Sequence, residues 1–166
     1  MKYAWIGVMV AACGTLANAQ DVNVSGVQIL SHGIYAVGEP SKTVVDNSGV
    51  GHRSLGGRPH LIATTTRVPA KLGVHFGFEF KMNGTPSGES ISYRQEVHYP
   101  LPGANVPGGT APLAMSSATY PATLNRTSYT GYALTDPWEL IPGKWLIQVW
   151  VGDKKLAEQA FYVTRK

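Results

Sequence analysis

Beyond residue 20, hydrophobic and polar positions alternate with period two along most of the chain. No window there sustains the i, i+3, i+4, i+7 recurrence of an amphipathic helix. The clearest run is Leu72 to Met82. Leu72, Val74, Phe76, Phe78, Phe80 and Met82 point one way, and Gly73, His75, Gly77, Glu79 and Lys81 the other. Such a strand buries one face and leaves the other to solvent, as in antiparallel sheets. After the loop Asn83-Gly84-Thr85-Pro86-Ser87-Gly88, a second inward set follows: Ile91, Tyr93, Gln95, Val97 and Tyr99, stopped by Pro100.

The C-terminal stretch is patterned most firmly. A Pro142-Gly143 turn leads into a strand at Trp145–Val151, then Gly152-Asp153, then a closing strand at Leu156–Val163. Gly at the first central position suits the tight turns that join antiparallel strands. Weaker strands are expected at Val22–Val37, Thr43–Val45, Leu61–Val68 and Arg126–Thr135. Between Tyr99 and Asn125 there is no charged residue, and this reads as a long surface connection with a short strand near Ala118–Tyr120. About seven short strands with turn signals between them predict an all-β, immunoglobulin-like or fibronectin-like antiparallel β-sandwich.

The first nineteen residues stand apart from this pattern. Lys2, the apolar run Tyr3–Ala12 and Ala17-Asn18-Ala19 form a secretory signal peptide with an A-x-A cleavage site. The expected organisation is therefore a signal peptide over 1–19 and one β-sandwich domain over 20–166, in a periplasmic or secreted protein. Val10-Ala11-Ala12-Cys13-Gly14 is similar to a lipoprotein box, so anchoring through a lipidated Cys13 is the alternative. Cys13 is the only cysteine. Cleavage after Ala19 leaves a chain without disulfides, thiol catalysis or thiolate metal sites. No later apolar run is long enough to cross a bilayer as a helix. Cleavage removes only Lys2 among the charged residues, leaving thirteen basic and ten acidic side chains. The basic ones are scattered singly, so a nucleic-acid partner is not expected.

Several blocks carry a resemblance. They are Ile34-Tyr35, Val68-Pro69-Ala70-Lys71-Leu72-Gly73-Val74-His75-Phe76-Gly77-Phe78, Tyr129-Thr130-Gly131-Tyr132, Pro137 to Trp145 and Gly152 to Phe161. In this order they resemble an uncharacterised bacterial family catalogued as domain of unknown function 3859. The resemblance implies an exported, single-domain β protein and brings no reaction, ligand or catalytic residue with it.

Candidate chemistry is sparse. If the strands Leu72–Met82 and Ile91–Tyr99 pair as a hairpin with Met82 opposite Ile91, His75 falls opposite His98, Glu79 opposite Arg94, and Gly77 opposite Glu96. Directly opposed side chains lie about 5 Å apart at Cβ, so two imidazoles could share a divalent metal with Glu96 as third ligand. Trp150, sharing a face with Leu146 and Gln148, is the candidate exposed aromatic for binding. His52, Arg53, Arg58 and His60 lie in a Gly-rich stretch, but Pro59 and a Thr-rich strand follow it rather than the helix a phosphate cradle needs. No Gly-x-Ser-x-Gly elbow is present, and no catalytic residue is assigned. The sequence thus points to a non-catalytic envelope module without a cofactor, its partner an envelope protein or cell-envelope polymer. A small metal-binding protein or hydrolase using the outward face of the 72–99 hairpin is the alternative.

Overall fold

The computed structural model describes residues 21–38, 42–45, 52–55 and 59–165. The proposed signal peptide and Cys13 lie outside them. The described strands are β1 (Asn23–Val37), β2 (Lys42–Val45), β3 (His52–Leu55), β4 (Pro59–Ala63), β5 (Arg67–Pro69), β6 (His75–Thr85), β7 (Ser90–His98), β8 (Met115–Thr123), β9 (Thr127–Ala133), β10 (Gly143–Val151) and β11 (Lys154–Thr164). A single 3₁₀ turn, Pro137–Glu139, interrupts them. Among the described residues no helix is long and apolar enough to cross a membrane.

Two sheets face each other. One has four strands in the order β4-β1-β6-β9 and the other five in the order β5-β11-β10-β7-β8, while β2 and β3 form a separate ribbon. The terminal hairpin forms as its pattern requires: β10 and β11 run antiparallel from Gly143↔Val163 to Val151↔Lys154. Gly152 takes φ +56° in the turn, a conformation that glycine adopts without a Cβ clash. The core is the meeting of the two alternating sets. Phe76, Phe78, Phe80 and Met82 of the four-stranded sheet are buried, as are Tyr93, Val97, Trp145, Ile147, Val149 and Phe161 of the five-stranded one. Phe76 stands edge-on to Trp145 at 5.8 Å and Phe80 edge-on to Tyr93 at 5.3 Å, in the T-shaped geometry that ring quadrupoles favour.

This contact corrects one expectation. β6 and β7 do not form a hairpin: β6 pairs with β1 and β9, and β7 with β10 and β8. The connection after Thr85 crosses the sandwich instead of turning back. Period-two alternation states which face of a strand is apolar, and two apolar faces are buried equally well across a core as side by side. Two more segments differ. Leu61–Val68 is not one strand, because Thr65 Oγ1 accepts a hydrogen bond from the Arg67 amide at 3.0 Å. That local bond replaces ladder pairing, and the chain passes from β4 in one sheet to β5 in the other. The expected short strand at Ala118–Tyr120 is the nine-residue edge strand β8. It accommodates Pro121, which an edge tolerates.

Polar groups inside the sandwich are tied across it. Thr130 Oγ1 donates to Gln95 Oε1 at 2.6 Å, and Gln95 Nε2 donates to the Gly131 carbonyl at 3.1 Å. At one end a longer chain runs from sheet to sheet. Tyr99 Oη donates to Ser116 Oγ at 2.8 Å and lies 3.3 Å from Tyr132 Oη, which donates to Glu139 Oε1 at 2.6 Å. Glu139 is 2% exposed. Its other oxygen accepts the amides of Thr135 and Asp136 at 2.6 and 2.8 Å and the Thr135 hydroxyl at 3.1 Å. A buried carboxylate with this many donors anchors the 3₁₀ turn to both sheets.

Candidate functional site

The two outer faces of the sandwich differ in character. On the five-stranded sheet, strand register builds three outward rows across β8, β7, β10 and β11, the second and third of them mostly polar. Met115, His98, Leu146 and Ala160 form the first, Ser117, Glu96, Gln148 and Glu158 the second, and Thr119, Arg94, Trp150 and Lys155 the third. A register shift between Val149 and Trp150 brings Trp150 opposite Lys155. Such a bulge re-aims the side chains beside it.

Gln148 is the hub. It sits on the solvent side of the sheet yet is only 7% exposed, because its neighbours close over it. Its Oε1 accepts from Trp150 Nε1 at 3.0 Å and from His98 Nε2 at 3.2 Å, and its Nε2 donates to Glu158 Oε2 at 2.7 Å. The indole N–H can only donate and a carboxylate only accepts, so the amide orientation is fixed by its partners. His98 must then carry its proton on Nε2. Glu96 Oε2 lies 3.5 Å from the same nitrogen, and Glu96 Oε1 accepts from Arg94 Nε at 2.9 Å. The Arg94 guanidinium lies 5.3 Å from the Trp150 ring centre, a cation–π contact. Lys155 Nζ donates to Glu158 Oε2 at 2.8 Å. That bond holds the Glu158 carboxyl below its ordinary range, with the Gln148 bond and the charges of Lys155 and Lys144 acting in the same direction against the smaller burial effect.

The structure brings together three of the four site residues expected from the sequence. Glu96, His98 and Trp150 share this face. His75 does not. It lies on β6, on the outer face of the opposite sheet, directly across from Tyr35 and Ala133. The His75/His98/Glu96 metal set therefore does not assemble, because its geometry depended on a β6–β7 ladder that does not exist. Among the described residues no three His, Cys, Asp or Glu groups gather in a way that could hold a metal ion. His75 is half-buried, and burial lowers its pKa below the ordinary histidine value. Nearby on the same face, Ser31 Oγ donates to Glu79 Oε2 at 2.7 Å and lies 2.9 Å from Tyr35 Oη.

Sequence reasoning did not single out Arg94, Gln148, Lys155 and Glu158 as site residues. Arg94, Gln148 and Glu158 alternate outward on their strands, but Lys155 joins their face only because the bulge at Leu156 breaks the alternation of β11, and the β7–β10–β11 order then sets them side by side. The stretch holding His52, Arg53 and Arg58 shows no helix in the described residues; β4 begins at Pro59.

The architecture is that of an immunoglobulin-like β-sandwich. The chain belongs to the family described as domain of unknown function (DUF3859), whose model matches residues 23–163. Among solved structures it is similar to an immunoglobulin-like protein from Pseudomonas aeruginosa, with 25% sequence identity and a TM-score of 0.54, over 87% of this chain and 97% of that one. A partial likeness to the alkylpurine DNA glycosylase AlkC of Pseudomonas fluorescens, bound to DNA containing an abasic-site analogue, has 14% identity and a TM-score of 0.38. It covers 60% of this chain and 28% of that one and carries no argument. No curated protein is significantly similar in sequence.

Proposed function

We propose that this protein is an exported, non-catalytic binding module that takes a hydroxyl-rich polymer of the cell envelope on the outer face of its five-stranded sheet. The observation that carries the reading is the Gln148 hub. An indole, an imidazole, a guanidinium, an ammonium and two carboxylates are held in one pre-oriented array on an exposed sheet. Sugars are recognised by such convergent donors and acceptors beside an aromatic ring. Pre-orientation limits the entropy that binding must remove.

Glu96 and Glu158 flank Gln148 from the two neighbouring strands, and a pair of carboxyl groups is the minimal equipment of glycoside hydrolysis. That chemistry needs one carboxyl with a raised pKa to act as general acid. Glu158 is shifted the opposite way, and Glu96 is ion-paired with Arg94. These features favour binding over cleavage. Export is supported by Lys2, the apolar run that follows and Ala17-Asn18-Ala19, and the compartment proposed is the periplasm or the medium. Intact-mass analysis of the exported protein should give Gln20 as its first residue, whereas acyl chains on Cys13 would establish the lipoprotein form.

Co-sedimentation with isolated cell-wall polymer tests the binding. The wild-type protein should pellet with the polymer, and Trp150→Ala and His98→Ala should stay in the supernatant while remaining folded by circular dichroism. Equal pelleting of all three proteins would remove the proposed face from consideration.

A further inference from the structure

Every strand of the two sheets opens onto one of two ends of the sandwich, and the ends differ in chemistry. At one end lie the turn Ala70–Gly73, the connection Tyr99–Ala114, the segment Leu134–Pro142 and Arg165 at the end of β11. They are knitted together: the Ala70 amide donates to the Thr164 carbonyl at 2.9 Å and the Gly73 amide to the Leu134 carbonyl at 2.8 Å. Gly143 comes so close to Pro100 that a Cβ there would lie 2.7 Å from the proline side chain.

Two leucines project from this end. Leu101 is 93% exposed at the tip of its turn, and Leu72 is 46% exposed at the tip of another. Between and beside them stand Arg67, Lys71, Lys144 and Arg165, all exposed. The only acidic groups on this end among the described residues are the half-buried Asp136 and Glu139, which is 2% exposed and fully hydrogen-bonded. The connection carrying Leu101 holds no charged residue from Tyr99 to Asn125. At the opposite end the described charged residues are Asp21, Glu89 and Asp153 with Arg126, Lys154 and Lys155, a balanced set whose exposed large apolar residue is the single Val22.

We infer that the Leu72/Leu101 end docks onto an anionic lipid surface, the leucines entering the acyl boundary and the four basic side chains meeting the headgroups. Charge complementarity and layout select this occupant. β11 and β10 separate β5 from β7, so the two leucine-bearing loops stand about 14 Å apart at the usual strand spacing. Isolated apolar tips with basic side chains between them match a plane of headgroups over hydrocarbon. A protein partner instead selects a contiguous apolar patch with charge at its rim. β1 enters the sandwich at the opposite end and finishes at this one, where Val37 pairs with Pro59 of β4 beside the Tyr35–His75 pair. Docking this way leaves the outer face of the five-stranded sheet beside the membrane, open to other ligands.

Vesicle flotation with the exported protein, purified after removal of the N-terminal segment, tests the inference. Vesicles of phosphatidylcholine alone are compared with vesicles that also contain phosphatidylglycerol, at low and high salt. The protein should float only with the anionic vesicles, and salt should release it. Leu101→Asp and Lys144→Glu change exposed side chains, so both should fold. Each should weaken binding roughly tenfold, the scale expected for losing one buried leucine or reversing one headgroup contact. Intact mass confirms that every variant begins at the same residue, so differences between them report this end alone. Flotation unchanged in both variants, equal flotation with neutral vesicles, or binding to neither vesicle would overturn the inference. So would loss of an envelope-protein contact in Leu101→Asp with lipid binding intact.

Discussion

Replacing Tyr132 by Phe removes one oxygen and nothing else from the bridge between the two sheets. The lost bond is the 2.6 Å donation to Glu139 Oε1. Glu139 is 2% exposed, so water does not readily replace the missing donor. Hydrogen bonds to charged groups contribute about 1.5–3 kcal/mol, and leaving the acceptor unsatisfied puts the cost toward the upper part of that range. Tyr99 loses a weak 3.3 Å neighbour but keeps Ser116 at 2.8 Å, which adds little. The phenyl ring stays, so no large cavity opens. For a domain of this size the change should lower the melting temperature by roughly 4–10 °C. Thermal unfolding followed by circular dichroism reads it, with Tyr162→Phe as control because that ring is 48% exposed. In a double-mutant cycle with Glu139→Gln, the coupling should exceed about 1 kcal/mol. A Tyr132→Phe protein melting with the control, or a cycle that closes without coupling, would refute the assignment of this bridge.

Other outcomes follow from the same structure. Phe78→Ala should cost ~3–5 kcal/mol because the ring is fully buried, while Lys81→Ala on the outward side of β6 should leave chemical denaturation unchanged. Five of the eight tyrosines (Tyr35, Tyr93, Tyr99, Tyr129 and Tyr132) have pKa values raised chiefly by burial. Their contribution to stability is therefore complete below the ordinary tyrosine pKa of about 10 and lost above it. An alkaline absorbance titration should show them ionising only as the protein unfolds. His75 works in the opposite direction. Its folded pKa is depressed, so stability is complete above the ordinary histidine value and falls as the pH drops through and below it. Melting temperatures measured across that window should flatten in His75→Asn.

The fold was legible because alternation is strong where it matters. Phe76-x-Phe78-x-Phe80-x-Met82 and Trp145-x-Ile147-x-Val149 each declare a buried face, and Gly152-Asp153 declares a turn. Partner choice was not legible. The Tyr93 set faces the core whether β7 lies beside β6 or across from it, and only the assembled sandwich decides between them. That ambiguity produced the His75–His98 pairing and hid the Gln148 hub, whose β7 members reach the β10–β11 hairpin only by non-local pairing. Glu139 was hidden for another reason. A carboxylate next to Pro-Trp in a loop reads as solvated, and its burial depends on Tyr132 arriving from β9. The outward face of Trp150 could be counted from Trp145, because the extra residue of the bulge, Leu156, lies on β11 and leaves the alternation of β10 intact.

The claim most exposed to test is that the outer face of the five-stranded sheet is the ligand face. Backbone and indole N–H resonances of isotope-labelled protein, followed by NMR as soluble cell-wall glycan fragments are added, address it residue by residue. The account predicts shifts at the Trp150 indole N–H, the Gln148 side-chain amide, His98 and Ser117, with Tyr35, His75 and Glu79 on the other outer face unmoved. Shifts confined to that other face, or none anywhere at saturating fragment, would contradict it.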